Sequence, residues 1–140
     1  MRPKSIVNFD YAYLGSLLVG LINTVVTWQE TTAQVSVQRA TASFGSWYPY
    51  AVFGFSFGVS LLLWYFTSPR ASVIAKWILV VLTSIGIALT AMSLAAAFPA
   101  TLSGALIVLS GVLQAIAMVY LFRPDARAYF GEVQTAEPVA

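Results

Sequence analysis

Residues 77–98, WILVVLTSIGIALTAMSLAAAF, carry no Asp, Glu, Lys or Arg and no proline. An α-helix rises about 1.5 Å per residue, so roughly 20 apolar residues match the hydrocarbon core of a bilayer. This stretch predicts a membrane-crossing helix, and three more follow outward from it. A tight, uncharged turn around Pro99 to Ser103 leads to GALIVLSGVLQAIAMVYLF, residues 104–122. In the other direction lie YPYAVFGFSFGVSLLLWYF, residues 48–66, and YAYLGSLLVGLINTVVTW, residues 11–28. None of the four contains a charged side chain. The expected fold is all-α: one membrane domain over residues 1–140, an antiparallel bundle of four transmembrane helices. A polar outer loop covers 29–47, long enough for a short helix or cap, and a polar tail covers 123–140.

Composition supports a lipid environment. The chain is 59% hydrophobic and 9% charged, against about 25% charged in a soluble domain. With no cysteine and no histidine, disulfides, thiol chemistry and Cys/His metal sites are excluded. The net charge of +2 reads as a topology signal, not as a nucleic-acid footprint. The first apolar stretch is longer than a signal-peptide core and no small-residue cleavage site follows it, so it is expected to stay in the protein.

Six of the seven basic residues mark one side: Arg2, Lys4, Arg70, Lys76, Arg123 and Arg127, with only Arg39 in the first outer loop. By the positive-inside rule that side is cytoplasmic and holds both termini. Trp28, Trp47, Trp64 and Trp77 fall at span ends, as do Tyr11, Tyr13, Tyr48, Tyr50, Tyr65 and Tyr120. That is the headgroup level, where an amphipathic ring has one edge wet and one dry. Ser68-Pro69 reads as a helix stop. Pro124 reads as the start of a short interfacial helix carrying Tyr129 and Phe130, and the last eight residues as disordered.

Inside the spans, small and weakly polar residues recur at three- and four-residue spacing, which keeps them on one helix face. They are Ser16, Gly20, Asn23 and Thr27 in the first span, and Thr83, Gly86, Thr90, Ser93 and Ala97 in the third. The fourth has Ser110 and Gln114, beside Gly111 and Ala115. The second has Gly54-x-x-x-Gly58, with Ser56 and Ser60 on the far side. Counted from the cytoplasmic ends, Gln114 falls level with Gly20, Gly58 and Gly86. Asn23, Gly54, Ser110 and Thr90 form a second layer roughly 18 Å from the inner edge. Two readings stand side by side. The amides Asn23 and Gln114 hydrogen-bond across helices and fix their register, or they line a cavity for a lipid or solute. The GxxxG of the second span either packs within the bundle or forms a face between copies.

The spans hold no ionisable group of the kind that proton-coupled transporters and pumps need. Asp10 is expected to cap the first helix, and Glu30 to be an exposed loop residue within reach of Arg39. No nucleophile–base pair, P-loop or dinucleotide fingerprint is present. No catalytic, cofactor or metal residue is assigned, and the chain is not expected to be an enzyme. Small multidrug exporters share the four-helix size but depend on a membrane-embedded carboxylate in the first helix. Here that helix carries Gly15, Gly20 and Asn23, with no carboxylate deeper than Asp10.

Three segments carry a closer likeness: RPKSIVNFDYAYLGSLLVGLINTVVTW at the start, LLLWYFTSPRASVIAKWILVVL in the middle and YLFRPDARAYFGE after the fourth span. In these the chain resembles a group of small uncharacterised four-helix bacterial inner-membrane proteins. The resemblance implies a bacterial inner-membrane location and names no site. The leading expectation is a non-enzymatic structural or accessory protein. It would act through helix packing in the bilayer with itself, as a homo-oligomer, or with a larger membrane complex. The alternative is a small channel or carrier for an uncharged or lipidic ligand, using the Asn23/Gln114 layers.

Overall fold

The computed structural model describes residues 2–96 and 101–132. Its elements are α1 (Lys4–Val26), α2 (Trp28–Ala33), α3 (Val35–Phe44), α4 (Tyr48–Thr67), α5 (Val73–Ala96), α6 (Leu102–Leu121) and α7 (Pro124–Tyr129), with no strand among the described residues. α1, α4, α5 and α6 are long and apolar enough to cross a membrane, the pattern of a multi-pass membrane protein. Ala97 of the third-span stripe, the start of the turn at Pro99 and Ala100, and the last eight residues lie outside the described residues.

α1 begins at Lys4 instead of Tyr11. Lys4, Asn8 and Asp10 end a hydropathy reading, yet they project away from a face that helical periodicity keeps apolar. Ile6, Phe9, Ala12, Tyr13 and Ser16 recur along that face and are all buried. α5 likewise begins early, at Val73, with the Ser72 hydroxyl accepting from the Ala75 backbone N–H at 3.3 Å. Such a hydroxyl satisfies one of the orphan donors of a first turn. The outer segment folds into α2 and α3. It ends at Gly45 with φ 103°, where a Cβ would sit 3.0 Å from the Trp47 ring. The Trp28–Tyr50 and Phe44–Tyr48 ring pairs hold this segment to the start of α4. Glu30 and Arg39 form no ion pair among the described residues, whose pairs are Arg2–Asp10, Lys76–Glu132 and Arg127–Glu132.

The buried core gathers at one end. Ile6, Phe9, Tyr13, Leu79, Leu121 and Phe130 form one cluster, completed by Ala12, Ala117 and Ala126. We call this the basic end, because Arg2, Arg70, Lys76, Arg123 and Arg127 belong to the segments that meet there. α1 is the axis of the fold: 33% of its apolar window is buried, against 6% for α4 and α5 and 11% for α6. It packs along α6, while α4 packs along α5. Gly15 and Gly20 lie on the α1–α6 seam, where a Cβ would stand 3.8 Å from Leu113 Cδ1 and 3.9 Å from Ser110 Oγ.

Asp10 does not cap α1. It lies within the helix, accepting from Trp64 Nε1 at 2.8 Å and from Arg2 Nη1 at 3.1 Å. The cap comes from α7, far along the chain. Asp125 Oδ2 accepts from the Ser5 backbone N–H at 3.2 Å, and Oδ1 from the Ser5 hydroxyl at 2.7 Å. A carboxylate at a helix N-terminus meets both unpaired N–H groups and the positive end of the dipole. The Ser5 hydroxyl and backbone bonds hold the Asp125 carboxyl below its ordinary pKa. A depressed pKa makes this contribution fully present above the unfolded value, about 3.9, and lost as pH falls through the folded value. Asp125→Asn should therefore shrink the acid-induced loss of stability. It should also speed amide hydrogen exchange in the first turn of α1 at neutral pH. An unchanged acid transition and unchanged exchange would remove Asp125 as the cap.

Candidate functional site

Toward the far end the two helix pairs separate around cavities, and the polar side chains of the spans meet there. A cavity of about 150 Å³ lies between α1, α5 and α6, lined by Asn23, Thr90, Ser110, Gly111 and Gln114 together with apolar Ile87, Leu106 and Ile107. A second, of about 200 Å³, lies among α1, α4, α5 and α6. Tyr13, Ser60, Thr83, Gly86 and Gln114 line it, with Leu79 and Leu63 toward the basic end. Gln114 belongs to both. A third, of about 400 Å³, lies between α1, the outer helices and α4, where Asn23 joins Thr24, Thr27, Trp28, Phe53 and Ser56. Asn23 thus stands between the first and third cavities, as Gln114 stands between the first and second.

The interhelical hydrogen bonds of this region do not use the amides. Ser110 Oγ donates to the Ser16 carbonyl at 3.1 Å, and the Tyr13 hydroxyl to the Ser60 carbonyl at 3.4 Å. Asn23 Oδ1 is buried and has no hydrogen-bond partner among the described residues. A buried acceptor left unpaired costs on the order of 1–3 kcal/mol. Register is therefore held by hydroxyls, and the amides face the space between helices. Thr24 and Thr27 bond back to the Gly20 and Asn23 carbonyls at 2.9 Å, within their own helix.

Of the residues singled out in the sequence, Asn23, Thr90, Ser110 and Gln114 meet around one cavity, and Gly86 lines the next. Gly20 faces Ser110 across the α1–α6 seam. Gly54 and Gly58 lie on the exposed side of α4, with nothing within 4 Å of where a Cβ would be. Ser56 and Ser60, on the opposite side, line the cavities. Tyr13 also lines the second cavity, which its sequence position does not announce. Its position near a span end read as a headgroup anchor, whereas the longer α1 carries it into the buried cluster. Among the described residues no three acidic side chains gather where a metal ion could be held.

No protein-family model matches this chain, and no curated protein or solved structure is significantly similar to it.

Proposed function

We propose that this is a non-enzymatic, structural or accessory protein of a bacterial inner membrane, which works by packing α4 against a second copy of itself. The reading includes an antiparallel four-helix bundle with both termini cytoplasmic, supported by the charge pattern, and a bacterial setting, supported by the resemblance of RPKSI and RPDARAYF. The single observation that carries the assembly is the outward Gly54-x-x-x-Gly58. Glycine inside a helix costs about 1 kcal/mol relative to alanine, and no contact among the described residues requires either residue. Small residues four apart on a lipid-facing surface allow close approach of another backbone, which is how membrane helices associate.

The test is the mass of the particle in native nanodiscs. Wild type should be a dimer, and Gly54→Ile or Gly58→Ile should shift it to monomer by blocking backbone approach. A strictly monomeric wild-type particle, or a dimer indifferent to both substitutions, would defeat this reading. A second reading has its own support. Asn23 and Gln114 stand beside cavities instead of bonding across helices, as a small channel or carrier for an uncharged or lipidic ligand requires.

A further inference from the structure

Inside the spans two more glycines have no packing partner among the described residues, and unlike Gly54 and Gly58 they border the cavities that Gln114 shares. Gly86 lines the second, central cavity and Gly111 the first, and a Cβ at either would meet nothing within 4 Å among the described residues. Gly15 and Gly20, by contrast, have a neighbouring helix at contact distance. The helix-propensity penalty at Gly86, which is exposed, and at the half-buried Gly111 thus goes with open space beside the cavities, and a larger side chain at either position is expected to fill it.

The polar groups around it are neutral and complementary. Asn23 offers a buried, unpaired acceptor. The Gln114 amide, shared by the two cavities, brings two N–H donors and an acceptor of its own. The Ser110 proton is committed to the Ser16 carbonyl, so its oxygen faces the cavity as an acceptor. Thr90 and Thr83 add hydroxyls that both donate and accept. No charged side chain lines either cavity. An ion stripped of water there would lack a counter-charge, which excludes it by a wide margin. A neutral molecule with donors and acceptors would instead satisfy the Asn23 oxygen.

Size narrows the class. An apolar cavity of about 150 Å³ holds one benzene, so cavities of about 150 and 200 Å³ suit a solute of about six heavy atoms or fewer. A lipid acyl chain is longer and needs a wholly apolar slot, whereas here amides and hydroxyls share the lining with Leu17, Leu82, Ile87 and Leu106. The floor is closed: Tyr13 and Leu79 of the central cavity also belong to the buried cluster at the basic end.

We propose that the space between Asn23 and Gln114 is a binding site for one small neutral solute bearing both hydrogen-bond donors and acceptors, of the primary-amide or short-polyol class. It rests on the channel-or-carrier reading and fixes its ligand class. The experiment is saturation-transfer NMR on the full chain in nanodiscs, which detects millimolar binding. The probes are acetamide, glycerol, acetate, methylammonium and a short-chain monoacylglycerol. Acetamide or glycerol should receive saturation, and acetate and methylammonium should not. Gly111→Leu and Gly86→Leu should abolish the signal, and Asn23→Leu or Gln114→Leu should weaken affinity at least tenfold. Gly54→Ile, outside the cavities, should leave it unchanged.

Helical circular dichroism and a monodisperse particle qualify each variant, and where a glycine variant fails them the amide variants decide alone. Binding of the monoacylglycerol alone would overturn the solute class while leaving a lipidic carrier standing. Binding of none of the probes would overturn both. A neutral-solute signal that persists in every folded cavity variant would overturn the site.

Discussion

Glu132→Ala should destabilise the folded protein by about 3 kcal/mol, because it leaves a fully buried ammonium without its counter-charge. The Lys76 side chain is 0% exposed, and its Nζ donates to both Glu132 carboxylate oxygens, at 2.8 and 2.7 Å. The rings of Phe130 and Phe122 lie 4.8 and 5.1 Å from that nitrogen. Their faces ease the loss by cation–π attraction, but do not replace a carboxylate. The pair is asymmetric, and the asymmetry is the test. Glu132 is 21% exposed and has Arg127 at 3.9 Å, so Lys76→Met leaves a carboxylate that keeps partial hydration and a second cation. That single change should cost about 1 kcal/mol, and Lys76→Met with Glu132→Gln should behave alike, since a well-packed apolar replacement of a buried pair is often neutral. Equilibrium unfolding in mixed micelles measures all three. Equal losses for the two single variants would mean that Lys76 reaches water in solution and is not the sealed charge described.

This pair also marks where sequence reading stops. The four spans were legible because a run of about 20 residues without a charge has few other meanings. By charge count Lys76 is one more basic topology marker. Hydropathy counts a charge without asking what meets it, and Glu132 lies far along the chain. The same blindness gave α1's cap to Asp10, the nearest carboxylate, when Asp125 holds it. Depth could be counted from the span ends at about 1.5 Å per residue, and that count put Asn23, Ser110 and Thr90 at one level. Depth does not say which way a residue faces. Gly54 was counted into the same layer, but it lies on the outer side of α4. Facing depends on helix rotation, which neighbouring helices set.

Core and cavities together give the molecule two unlike ends. At the basic end, α7 and the start of α1 knit into one cluster: Asp125 on Ser5, the Tyr129 hydroxyl on the Ser68 carbonyl at 3.0 Å, and Phe130 within the cluster. Toward the far end, α1–α6 and α4–α5 lean on each other less, and polar side chains face the gap. Rigidity below and space above suit the proposed solute site, which would open to the sides or the far end. The proposed packing surface of Gly54 and Gly58, on the other side of α4, leaves the proposed site undisturbed.

The second large effect is expected at Phe9. It is 0% exposed and stacks on Tyr13 with ring centroids 5.5 Å apart. Truncation to alanine would leave a ring-sized void beneath the residue that floors the central cavity. In a water-facing core such a change costs about 3–5 kcal/mol, part of it lost transfer energy and part the cavity itself. In hydrocarbon the transfer part vanishes, because lipid tails are as apolar as the side chain, and only packing remains. Phe9 lies in the first turns of α1, between Lys4 and Asp10. Charges on both sides of it in sequence put this stretch at the headgroup level, so most of the transfer part should persist. Phe9→Ala should therefore cost about 3 kcal/mol in mixed-micelle unfolding, and Phe9→Leu about 1 kcal/mol, since leucine fills most of the space. A loss for alanine below about 1 kcal/mol would mean that acyl chains surround the cluster. The basic end would then lie deeper in the bilayer than its charges allow.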